Sequence, residues 1–105
     1  MIQWPCLFKL EGDDELIFLS SELELIKELQ ALIWSEEDLL IDSCGNQYQV
    51  VNVSASVQYQ LLSVKLSLQQ VTELIQAHEF SKAEICITKI QFPDVTSAIE
   101  ALRPA

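Results

Sequence analysis

At 105 residues, half of them hydrophobic and only five glycine or proline, the chain has the length of one domain and enough apolar content to bury a core, which excludes wholesale disorder. Sixteen acids against six bases give a net charge of -10, and the six cations (Lys9, Lys27, Lys65, Lys82, Lys89 and Arg103) are scattered. Neutralising phosphates takes clustered Lys and Arg, so neither nucleic acid nor an anionic membrane is an expected partner. The charge is uneven: residues 1–52 carry eleven acids and two lysines, residues 53–105 five acids and four bases.

In the opening segment Ile2, Trp4, Cys6, Phe8 and Leu10 are apolar while Gln3, Pro5, Lys9 and Glu11 are not, a period of two that predicts a half-buried strand. Pro5 has no N–H to give a ladder and belongs at an edge or a strand entrance. Gly12-Asp13-Asp14 is turn chemistry, and Leu16–Leu19 returns as a second strand. Ser20 and Ser21 compete to cap a helix over Glu22–Ile33, with Ser21-x-x-Glu24 a capping box and Leu25, Ile26, Leu29, Leu32 and Ile33 its apolar face. Trp34-Ser35-Glu36-Glu37-Asp38 forms a polar loop. Leu39–Asp42 and Tyr48–Val53 then read as a second hairpin about the turn Ser43-Cys44-Gly45-Asn46.

No acid occurs between Ser43 and Thr72. Within that stretch Val57, Tyr59 and Leu61 alternate, and the apolar phase changes at Leu62, Val64 and Leu66, which reads as a bulge or an irregular crossover before the next helix; a strand extension followed by a crossover is expected. Ser67-x-x-Gln70 is a second capping box and starts a helix near Leu68, with Leu68, Val71, Leu74 and Ile75 on one face and His78 continuing the stripe. Phe80, Ser81 and Lys82 lead out of it. Ile85–Ile90, apolar on both faces, predicts a central strand, and Asp94 caps a last helix carrying Val95, Ala98, Ile99 and Leu102. The expected fold is a single α+β domain over residues 1–105, a two-layer sandwich of about five strands, mixed but mostly antiparallel, and three helices in the order ββαββαβα.

Met1–Pro5 lacks the basic start of a secretory signal, no stretch approaches the roughly 20 apolar residues of a membrane span, and Cys6, Cys44 and Cys86 are odd in number and widely spaced. Together these predict a reducing, cytoplasmic location. Trp4 to Leu16, the turn from Asp42 to Gly45, and Leu66-Ser67-Leu68 leading to Ala77-His78 resemble a family of small bacterial proteins of unknown function, mostly gammaproteobacterial. The resemblance spans nearly the whole chain and implies a bacterial, cytoplasmic, single-domain protein. It brings no assigned activity and no site.

Three constellations bear on function. Cys44 in its turn and His78, the one histidine, would make a nucleophilic pair only within hydrogen-bond reach and with a depressed thiol pKa; the plainer reading is a turn cysteine and a helix-end histidine. Asp13-Asp14-Glu15 and Glu36-Glu37-Asp38 offer oxygen ligands but no cation-loop spacing, so solvated loop charge is the better account and no metal or cofactor is expected. Trp34 beside Glu36, Glu37 and Asp38 would suit a basic partner as an aromatic anchor rimmed by carboxylates, against the favoured alternative of a tryptophan that closes the core. The function expected is therefore an acidic protein-interaction or regulatory module rather than an enzyme, meeting a basic protein or forming a homo-oligomer. A small-molecule binder or enzyme using Cys44 and His78 is the alternative, and a nucleic-acid mimic a further one.

Overall fold

The structure, a computed structural model, describes residues 2–32, 34–53, 56–82 and 91–104. Five segments of strand-forming sequence, β1 (Cys6–Lys9), β2 (Leu16–Leu19), β3 (Leu39–Ile41), β4 (Asn46–Val53) and β5 (Ser56–Lys65), pair antiparallel in the order β2-β1-β3-β4-β5. Helices α1 (Glu22–Ala31), α2 (Leu68–Lys82) and α3 (Val95–Glu100) complete the α+β fold.

Both capping boxes form. The Ser21 hydroxyl accepts from Glu24 N, and the Glu24 carboxylate reaches back to Ser20 N and Oγ at 2.9 and 2.6 Å, so Ser21 is the cap and Ser20 its brace. Gln70 N donates to Ser67 Oγ at 3.1 Å, and Ser67 N donates to Gln70 Oε1 at 2.9 Å. Asp94 caps α3 through Ser97 N at 2.7 Å. Helix α1 ends at Ala31, two residues earlier than expected, with Leu25 and Leu29 as its buried residues.

The register sorts the core into two halves. Cys6, Phe8, Leu19, Leu40 and Val50 meet Leu25 and Leu29 of α1 on one face, whereas Leu7, Leu16 and Ile41 meet Val71, Ile75, Ala98 and Ile99 of α2 and α3 on the other. Helices thus lie on both faces of the sheet, and β1 is buried on both sides instead of half-buried: Leu7, the apolar exception among its odd positions, is as inaccessible as Cys6 and Phe8. Each such side chain contributes about 2 kcal/mol of transfer free energy, so a strand of four residues is held by side chains more than by its ladder.

Two further expectations change. Residues 2–5 are not part of the strand: Gln3 N donates to Asp42 Oδ2 at 3.2 Å, Gln3 O accepts from Ser43 N at 2.9 Å, and Pro5 O accepts from Ser43 Oγ at 2.6 Å, so this segment docks on the β3–β4 turn and Pro5 stands at the strand entrance. Residues 56–65 form no crossover but a ten-residue strand hairpinned to β4. The change of phase there is a bulge: Tyr48 opposes Leu61 and Asn46 opposes Lys65, so Leu62, Ser63 and Val64 face the single residue Gln47, whose Nε2 donates to Val64 O at 3.0 Å. The strand expected over Ile85–Ile90 lies outside the described residues.

Asp42 is completely inaccessible, and its carboxylate accepts from Gln3 N, Cys44 N and Asn46 N and from Asn46 Nδ2. Replacing it with alanine strands three backbone donors. Asp42→Ala should lower unfolding free energy by about 3 kcal/mol and Asp42→Asn, which keeps one acceptor oxygen, by about half as much. Urea denaturation checks both, and a loss below about 1 kcal/mol for Asp42→Ala would show that water replaces the carboxylate.

Candidate functional site

The ladder fixes two ends of the sheet. At one end Lys9 pairs with Leu16 and with Leu39; at the other Cys6 pairs with Leu19 and Leu7 with Ile41. The β1–β2 turn (Glu11–Glu15) and the loop that leads from α1 into β3 (Trp34–Asp38) both leave from the Lys9 end. Glu11, Asp13, Asp14 and Glu15 in the first and Glu36 and Glu37 in the second are exposed.

Asp38 joins the two loops. It is buried, at 4% exposure, and its carboxylate accepts from Ser35 N in its own loop and from Glu11 N in the other, both at 2.7 Å. Asp38 is therefore a clasp turned inward, and Glu36 and Glu37 are the members of the sequence-read surface that face solvent. Trp34 is half-buried against the α1-side core, where it closes the core and keeps a partly open flank beside the loop. Among the described residues the one ion pair is Arg103 with Glu100 at 2.8 Å, so the six loop carboxylates have no described cation within salt-bridge range.

Phe80, Ser81 and Lys82, expected to lead out of α2, are its last residues, and the sequence reading assigns Phe80 no part in any site. It lies on α2, two positions past His78, and is 67% exposed. Its signal was its place off the Leu68, Val71, Ile75, His78 stripe. His78 is buried, and its Nδ1 accepts from Leu16 N at 2.8 Å, which assigns the ring proton to Nε2 and brings this part of α2 to the Lys9 end of the sheet.

Cys44 is exposed in the β3–β4 turn, three residues past Ile41 and so beyond the opposite end of the sheet from His78. The structure does not bring the two together: Nδ1 of His78 is already an acceptor for Leu16 N. Among the described residues no group of three or more His, Cys, Asp or Glu side chains is placed to hold a metal ion, and no helix is long and apolar enough to cross a membrane. Tyr48 is buried in the α1-side core and Trp4 is half-buried against it; with Tyr59 they line an open cleft at the Cys6 end of the α1 face.

The family model DUF4144, described as a protein structure with unknown function, matches residues 4–102. The chain belongs to this family. The resemblance read from Trp4–Leu16 and the Asp42–Gly45 turn is thereby borne out, and the family carries no assigned activity. The NMR structure of a protein from Shewanella amazonensis is similar over 99% of this chain and 92% of that one, with a TM-score of 0.73 and 23% identity; at that identity the likeness is one of fold. No match is found among curated proteins.

The cysteines differ in chemistry as well as place. Burial, and after it the Asp42 carboxylate, push the Cys6 thiol well above its ordinary 9.0. Iodoacetamide followed by peptide mapping should modify Cys44 at an ordinary thiol rate and leave Cys6 untouched in the native protein. A folded-state pKa raised in this way stabilises the fold fully below pH 9.0 and progressively less as the pH climbs above it, because only the unfolded chain ionises there. Melting temperature should therefore decline above pH 9.0, and less steeply in Cys6→Ala; equal slopes would remove Cys6 from the account.

Proposed function

We propose that this protein is a cytoplasmic protein-interaction module whose acidic end docks a basic partner. The observation that carries the reading is the Asp38 clasp, which holds two loops from distant parts of the chain side by side and so makes one surface of six exposed carboxylates out of two separate runs. Carboxylates gathered at one end, with no described cation within salt-bridge range, raise the local concentration of a positively charged partner and speed its encounter. Affinity in such interfaces rests on a few aromatic or arginine anchors. Phe80 and the open flank of Trp34 are the apolar side chains available for that part on the two faces of this end.

Two alternatives read from the sequence gain less from the geometry. A Cys44–His78 nucleophilic pair would need side chains at opposite ends of the sheet to meet. A nucleic-acid mimic needs carboxylates in a stripe at phosphate-like spacing, whereas here they are gathered in two loops at one end.

The test is a pull-down from a native bacterial lysate at low and moderate salt, with two variant baits. One carries Glu11→Gln, Asp13→Asn, Asp14→Asn and Glu15→Gln, and the other Glu36→Gln and Glu37→Gln. A stoichiometric basic partner lost as salt rises and lost again with either variant is the expected result. A partner that survives neutralisation of one loop, or bait alone at both salts, would contradict the reading.

A further inference from the structure

The cleft at the other end of the α1 face has a chemistry of its own. Its volume is about 480 Å³, and it is lined by Ile2, Trp4, Tyr48, Tyr59 and Glu22, a size within the usual range for small-ligand sites. The five come from four elements. Ile2 and Trp4 lie in the segment that the Asp42 carboxylate and Ser43 tie down. Tyr48 pairs with Leu61 and Val50 with Tyr59, so the two tyrosines are diagonal neighbours on one face of the β4–β5 ladder. Glu22 opens α1, and its Oε2 accepts from the Tyr59 hydroxyl at 2.8 Å.

The geometry points to a binding site for a quaternary ammonium cation. Half-buried Trp4 and Tyr59 and the buried Tyr48 line it; aromatic faces attract a positive charge, and alkylated ammonium groups are the cations that such walls take best, because they have no N–H left to satisfy. The net charge of the walls is also right. Among the described residues Glu22 is the one charged residue lining the cleft and no base lines it, and the Tyr59 bond leaves its second oxygen as an acceptor. Behind the wall, the buried Asp42 carboxylate is close enough to help, after burial, to raise the pKa of Tyr48. Against a cation stands the N-terminus of α1, worth about half a positive charge. Glu22 outweighs it, and Glu24 in the same turn adds to the negative side.

A purely apolar ligand would use the same walls without the carboxylate, and this difference makes the inference testable. The ammonium group could belong to a free choline-like molecule or to a trimethylated lysine on a polypeptide, and the two share the chemistry recognised. This site is separate from the acidic end, so its failure would leave the docking reading in place.

The experiment is a titration of isotopically labelled protein with tetramethylammonium chloride against sodium chloride at matched ionic strength, followed on the Trp4 indole N–H resonance. Saturable movement with tetramethylammonium alone is expected. Choline should bind roughly tenfold more tightly than 3,3-dimethyl-1-butanol, its uncharged isostere. Glu22→Gln, at an exposed position where the fold is retained, and Trp4→Phe should each weaken choline binding several-fold. A trimethyl-lysine peptide run in parallel assigns the source: tighter binding than choline indicates a polypeptide, weaker binding a small molecule, and equal binding recognition of the headgroup alone. No saturation with any of the cations, equal affinity for the uncharged isostere, or unchanged binding in Glu22→Gln would overturn the inference.

Discussion

Strand β3 is only three residues long, yet it lies between β1 and β4 in the middle of the sheet, and each of its ends is closed by a buried aspartate. Asp38 precedes it and binds Ser35 N and Glu11 N; Asp42 follows it and binds Gln3 N, Cys44 N and Asn46 N. So short a strand offers few ladder bonds. The two carboxylates instead collect the backbone donors of the turns around it, and charge-assisted bonds of this kind are worth roughly twice a neutral one. Everything with a functional reading hangs from these two residues: the acidic loops from Asp38, and the Trp4 wall of the cleft from Asp42.

This division explains how a chain with so many acids folds without matching bases. Asp38 and Asp42 are stabilised by backbone donors, Glu24 and Asp94 by helix caps, and Glu100 by Arg103. The other acids among the described residues are on loops and on exposed or half-buried helix positions, where water carries their solvation at little cost to stability. Like charges crowded at one end still repel, however, and the Asp38 clasp holds Glu11 and Glu37 together despite that repulsion. A partner that supplies cations would relieve it.

Much of the fold was legible because its signals are local. Ser21, Ser67 and Asp94 are caps whose donors lie within three residues, so the sequence window contains the whole interaction. The phase change after Leu61 was visible for the same reason, but the local pattern fits a crossover as well as a bulge. What escaped depended on distance along the chain: besides their local donors, Asp38 bonds a residue 27 positions away and Asp42 one 39 positions away, and a local window does not show that either is buried. Periodicity placed Trp4 on the correct face but could not give its depth. That depth depends on α1 leaving the cleft beside Glu22 open. Covering of both sheet faces was hidden likewise, since Leu7 alone among the odd positions of β1 carried the sign of a second core.

The account stands most directly on the two acidic loops being one surface. Titrating the labelled protein with a short lysine-rich peptide and following backbone amides would measure this. The amides of residues 11–15 and 35–38 should move on one binding curve with one midpoint, and both sets should return to their free positions as salt is raised. Movement of one loop alone, or two curves with different midpoints, would contradict the account.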